Sequence, residues 1–135
     1  MLVIEISIKS DRKDIVEFLE ELHNIINCKE FNIDKHFLFI RSRKEDVMFS
    51  TPYTMADLDY DSMDVIERLR ELTVSDYSET LFDKDDGNPP LLFVFGKDIN
   101  DKEVYIKLKI RGVETRKVLC VSFHYAKYKM AHPYA

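Results

Sequence analysis

Tyr105, Lys107, Lys109 and Arg111 stand two residues apart, interleaved with Val104, Ile106, Leu108 and Ile110. Strict alternation of this kind marks a strand with one buried face and one wet face. A phenol and three cations therefore emerge from one sheet surface. Wet faces ordinarily mix signs, because like charges along a row repel one another. A purely cationic row in a chain of net charge −5 calls for an anion, and a phosphodiester backbone is the natural candidate.

A second apolar stretch, Val118 to His124, follows a turn over Gly112 to Lys117. If Leu119, Val121 and Phe123 face the core, then Val118, Cys120, Ser122 and His124 share the surface of Tyr105. A hairpin then puts Tyr105 opposite Ser122 or His124, within cross-strand reach. An imidazole, a phenol and several cations, with Glu103 as the one nearby carboxylate, suit RNA cleavage without a metal. Attack of a ribose 2′-hydroxyl on phosphorus needs one group to take a proton and another to give one. Histidine, with a reference pKa of about 6.5, does either near neutrality. Fixed cations stabilise the charge that spreads over the phosphate oxygens, and tyrosine stacks a base or donates a proton. His124, Tyr105 and Lys107 are thus the candidate catalytic residues, with Lys109 and Arg111 as phosphate contacts. The bland reading of the same residues is an ordinary solvated strand.

Charge is unevenly spread. Residues 1–101 hold 12 Lys and Arg against 23 Asp and Glu, a balance of −11, whereas residues 102–135 hold 8 against 2, a balance of +6. An acidic body with one basic region focuses a polyanion on a confined place. Arg41, Arg43 and Lys44 form a smaller basic cluster, either a solvated loop or additional RNA contacts.

The elements that must position these groups read as follows. Leu2, Ile4, Ile6 and Ile8 suggest a short edge strand. Ile15, Phe18, Leu19, Leu22, Ile25 and Ile26 recur at helical spacing and predict a helix over 11–27, with Ser10-Asp11 as its cap. Phe37 to Ile40 is a short strand, and residues 45–60, interrupted by Pro52, read as an irregular connection. A second helix starts at Asp61 or Ser62 and runs to about Leu72. Thr73 to Leu81 begins the main sheet, residues 83–90 form a turn, and Leu91 to Phe95 is a central strand. Gly96 to Asp101 then turns the chain into the cationic strand. One α+β domain is expected: two helices packed on an antiparallel sheet, followed by a tail over 125–135. At 135 residues it can bury a core without staples.

Other chemistries find little footing. No apolar run approaches the roughly 20 residues of a membrane span, and the N-terminus lacks the pattern of a secretory signal. Cys28 and Cys120 read as buried thiols in a reducing cytoplasm. There is no Cys-x-x-Cys, no glycine-rich phosphate loop and no serine elbow. Residues 83–94 fail as a calcium loop, because Gly87 comes one place early and Val94 stands where a bidentate glutamate belongs. No cofactor is expected.

Leu72-Thr73-Val74-Ser75-Asp76-Tyr77 after a helix, then Val104-Tyr105-Ile106-Lys107-Leu108, then Val121-Ser122-Phe123 resembles the motility quorum-sensing regulator (MqsR) family of bacterial toxins. The resemblance spans roughly residues 11–125. It implies a RelE-like α+β fold and a metal-independent mRNA endoribonuclease, the toxin of a type II toxin–antitoxin system that a cognate antitoxin neutralises. Tyr105 corresponds to the family's active-site tyrosine. His124 stands where the family has lysine after Ser-Phe, and Glu79 where it has a second lysine. The family's glutamine has no counterpart near Val94 to Lys97. Two other classes remain open: a non-catalytic nucleic-acid-binding module, and an acidic interaction or immunity-type protein.

Overall fold

The computed structural model describes residues 6–40 and 46–135. Among these residues six strands form one sheet in the order β1-β3-β4-β5-β6-β2. They are β1 (Ser7–Ile8), β2 (Phe37–Phe39), β3 (Tyr77–Phe82), β4 (Leu91–Ile99), β5 (Lys102–Arg111) and β6 (Lys117–Tyr125). Every pairing is antiparallel except β2 on β6, which is parallel. Four α-helices among the described residues complete an α+β architecture: α1 (Arg12–Ile26), α2 (Ile33–His36), α3 (Thr51–Leu58) and α4 (Ser62–Arg70).

The long helices follow from their apolar spacing. Ile15, Leu19, Leu22 and Ile26 line the buried side of α1, and Val65, Ile66 and Leu69 that of α4. Asp61 and Asp64 cap α4 reciprocally, each side chain accepting the other's backbone N–H at 3.0 and 2.9 Å. Both helices cover one sheet face, where Phe95, Val104, Ile106, Leu108, Val118, Cys120 and Phe123 complete the core. Cys120 is buried there, and burial pushes its thiol up. Cys28 is exposed, contrary to the expectation of two buried thiols. It lies beyond the end of α1, where its Sγ donates to Glu30 at 3.0 Å.

Residues 45–60 depart from the expected irregular connection. A single turn over Val47–Phe49 leads into α3, whose N-cap Ser50 accepts from Tyr53 N at 3.2 Å. Pro52 sits in the first turn of this helix, where its missing N–H costs nothing. Pro52 thus starts a helix instead of interrupting the chain.

α3 closes the outer edge of β6 beyond β2. Thr51 Oγ1 accepts from Phe123 N at 3.1 Å, and Thr54 Oγ1 from Tyr125 N at 3.0 Å. Two hydroxyls thus replace a neighbouring strand. Tyr125 in turn donates its hydroxyl to Asp57 on α3, and burial together with that carboxylate pushes its phenol up to about 12. Thr54→Val keeps the shape but strands a buried N–H, so unfolding in urea is expected to show a loss of about 1–3 kcal/mol. Thr54→Ser, which keeps the acceptor, should recover most of it.

The turn into β5 also lies elsewhere than expected. Gly96 to Ile99 belong to β4, and the reversal is the two-residue turn Asn100-Asp101, with φ of 52° and 67°. Asparagine and aspartate tolerate this left-handed backbone, which matches the twist of a tight hairpin. Gly112, at φ 115°, begins the β5–β6 turn, where a Cβ would meet Thr115 O at 2.0 Å.

Candidate active site

The sheet face opposite α1 and α4 carries the candidate chemistry. On β5 the pattern emerges as alternation dictates: Val104, Ile106, Leu108 and Ile110 enter the core, and Tyr105, Lys107, Lys109 and Arg111 take the other side. In the ladder Tyr105 pairs with His124 and Lys107 with Ser122. The Tyr105 and His124 rings stand nearly parallel, their centroids 5.1 Å apart and their planes 10° apart. Lys107 Nζ lies 5.8 Å from the centre of the Tyr105 ring. Imidazole, phenol and ammonium thus come together on two adjacent strands.

The half of β6 nearer the turn faces the other way from what its alternation suggests. Val118 and Cys120 are in the core, and Leu119 pairs with Lys109 on the opposite side. A bulge reconciles this with the far half: Lys107 pairs with Ser122 and Leu108 with Cys120, leaving Val121 as an extra residue between them. Val121 packs with Leu81, Leu92, Val94 and Met130 in a second apolar cluster on the site face.

His124 is oriented by its own backbone. Its Nδ1 lies 2.9 Å from Tyr125 O, and a carbonyl only accepts, so Nδ1 carries the proton in the neutral ring. The lone pair then belongs to Nε2, the nitrogen suited to act as a base.

Lys109 requires a correction. It shares the face of Tyr105, but its side chain is only 2% exposed. Its ammonium donates to Asp83 Oδ2 at 2.7 Å and to the carbonyls of Asp86 and Pro89, each at 2.9 Å. All three of its donors are thereby used within the protein, and it pins the 83–90 loop instead of holding phosphate. The loop's aspartates supply the anion that the cationic row seemed to lack. Burial alone would raise the Asp83 carboxyl; hydrogen bonds from Lys109 and from Asp86 and Asp85 N–H outweigh it and hold the group below its usual range. Arg111 reaches the same loop, bonding Asp86 at 2.5 Å while remaining 47% exposed. Arg41, Arg43 and Lys44 lie outside the described residues, as do Leu2 and Ile4 of the expected first strand.

A recess of about 420 Å³ adjoins Lys107, lined also by Leu92, Val121, Phe82, Asp83 and Asp85. A larger one, about 750 Å³, lies between α1 and the β5–β6 turn. Glu17, Glu20, Glu21, Glu30 and Glu114 surround it. Those carboxylates outnumber Lys35 and Arg116 in the same lining and repel a phosphodiester, so size does not make it the site of phosphate chemistry. Among the described residues no group of three or more His, Cys, Asp and Glu side chains is arranged to hold a metal ion.

No protein-family model, curated protein or solved structure matches this chain. No described helix is long and apolar enough to cross a membrane.

The tail, Tyr125 to Ala135, packs against the sheet and does not hang loose. It runs across the site face and closes on Glu103, which receives Met130 N at 3.0 Å and His132 Nε2 at 2.8 Å on its two oxygens. Tyr134 ends the crossing, donating its hydroxyl to Ser10 O at 2.7 Å. One signal could have exposed this. Gly96 sits inside a central strand, where glycine weakens the strand unless something must approach closely.

Proposed function

We propose that the Tyr105–Lys107–His124 face cleaves RNA by 2′-hydroxyl attack, without a metal, and that the protein is the toxin of a toxin–antitoxin pair. The observation that carries this reading is the parallel imidazole–phenol pair with an ammonium beside it. In the proposed step His124 Nε2 takes the 2′-hydroxyl proton as O2′ bonds to phosphorus. The bond from phosphorus to O5′ breaks, and the Tyr105 hydroxyl supplies the proton that the leaving oxygen needs. The products are a 2′,3′-cyclic phosphate and a 5′-hydroxyl. Lys107 lies where it can offset the charge gained by the phosphate oxygens. Arg111 at the strand end offers a further contact, shared with Asp86. Support for a RelE-like fold comes from the order of elements, a short edge strand and helices followed by an antiparallel meander. The MqsR-like motifs point the same way, and imply mRNA as substrate, action in the cytoplasm and capture by a cognate antitoxin.

The purified chain is expected to cut a transcript equally well with and without excess EDTA. It should leave intact a strand carrying 2′-deoxyribose at the cut position, since the nucleophile is then missing. Cleavage of the deoxy substrate, or its loss in EDTA, would overturn this chemistry. Induced expression should arrest growth and co-expression of the antitoxin relieve it. A non-catalytic RNA-binding module would instead show salt-dependent binding and no product.

A further inference from the structure

The row Gly96–Tyr105–His124 crosses three adjacent strands on the site face. Its first place has no side chain. A Cβ built on Gly96 would come within 2.8 Å of Met130 Sδ and 2.9 Å of His132 Cε1. The tail therefore fills that place with its own side chains, beside the residue that Tyr105 faces across the ladder. Met130 and Tyr105 also pack against the same apolar cluster of Leu81, Leu92 and Val94.

We propose that His132, latched by Glu103, is a positioning residue for the Tyr105–His124 pair. It wedges into the space over Gly96 and keeps the phenol ring in line with the imidazole. The latch is specific: a carboxylate accepts, so His132 Nε2 donates to Glu103 Oε2. The other ring nitrogen, Nδ1, is buried with no hydrogen-bond partner. With one nitrogen committed and the other enclosed, the ring is not placed to exchange protons with a substrate. Enclosing an unpartnered polar atom is costly, and the cost is offset here by the latch and the packing over Gly96. The latch has a second effect. Glu103 pairs in the ladder with Asp98, so two carboxylates face each other close to the site, and a hydrogen bond to one disperses its charge.

The kinetic consequence rests on the cleavage reading above; the structural consequence does not. In the full-length chain, His132→Ala is expected to lower kcat about 10- to 100-fold, as misplacement near a reacting centre does. KM should stay within about twofold, because the wedge does not touch substrate. His132→Gln, which keeps a donor for Glu103, should restore most of the rate. Gly96→Ala keeps both Glu103 and His132 in the chain but pushes the His132 ring out of the space over residue 96, and should reproduce the loss. The second readout is the Tyr105 ring resonances of the free protein, labelled on tyrosine. They should move in His132→Ala and Gly96→Ala and return in His132→Gln. Unmoved resonances, or a glutamine variant no better than alanine, would overturn the proposal. If His124→Ala cuts like the parent, the cleavage reading fails, and the resonances still decide whether His132 positions Tyr105.

Discussion

Replacing His124 with alanine is expected to slow cleavage of a purified transcript by about 10²–10⁴, the usual worth of a positioned acid or base. The ring is half-buried and stacked on Tyr105, so urea unfolding is measured alongside to separate a loss of chemistry from a loss of fold. His124→Lys is more discriminating. It keeps a proton-transfer group of much higher reference pKa, about 10.4. The rate near neutrality should fall, and the rising limb of the pH profile should move to alkaline conditions. Tyr105→Phe keeps the stack and removes only the hydroxyl, so a smaller loss of about tenfold would mark its proton as useful to the leaving group. If both His124→Ala and Tyr105→Phe cleave at the parent rate, these residues have no part in the chemistry.

The largest effect on stability is expected at the buried Lys109. Asp83→Ala removes the shortest bond to an enclosed ammonium and leaves it two carbonyls and the more exposed Asp86 carboxylate at 3.4 Å. The loss is expected toward the lower end of the about 3–5 kcal/mol that breaking a buried pair costs. Urea unfolding measures the loss. The double variant Asp83→Leu with Lys109→Met should regain part of it, since no buried charge remains. Recovery should be incomplete, because the carbonyls of Asp86 and Pro89 then lack their donor. The same cluster predicts a pH dependence. The Asp83 and Asp86 carboxyls both titrate below their ordinary range in the folded protein, Asp86 chiefly through its hydrogen bonds from Asn88 N–H and Arg111. Their contribution is therefore complete above the unfolded value of about 3.9 and drains away as pH falls through the lower folded values. The denaturation midpoint should drop on acidification below about pH 4, and less steeply in Asp83→Ala.

The legible parts of this fold were those where one period governs one surface. α1 and α4 carry unbroken 3.6-residue spacing, and β5 carries unbroken alternation, so side-chain direction followed from position alone. The meeting of Tyr105 with His124 followed too, because the ladder around them is regular. What failed depended on partners distant in sequence. Lys109 alternates like its neighbours, and nothing local says that a loop some twenty residues earlier will fold over it. Pro52 and Gly96 are punctuation whose meaning depends on context: one starts a helix and the other makes room for a tail. The reversal of Val118 and Cys120 comes from a single bulge, which alternation has no means of marking.

That bulge leaves β6 with slack at one point. Val121 faces no partner in the β5 ladder, so a chain lacking it could keep every backbone pair, with His124 still opposite Tyr105. Elsewhere along the paired length a one-residue deletion turns part of the strand over, exchanging core and site residues. The strand's length is thus negotiable only where its core-anchoring half meets the half that carries the imidazole, and the two halves are free to diverge independently.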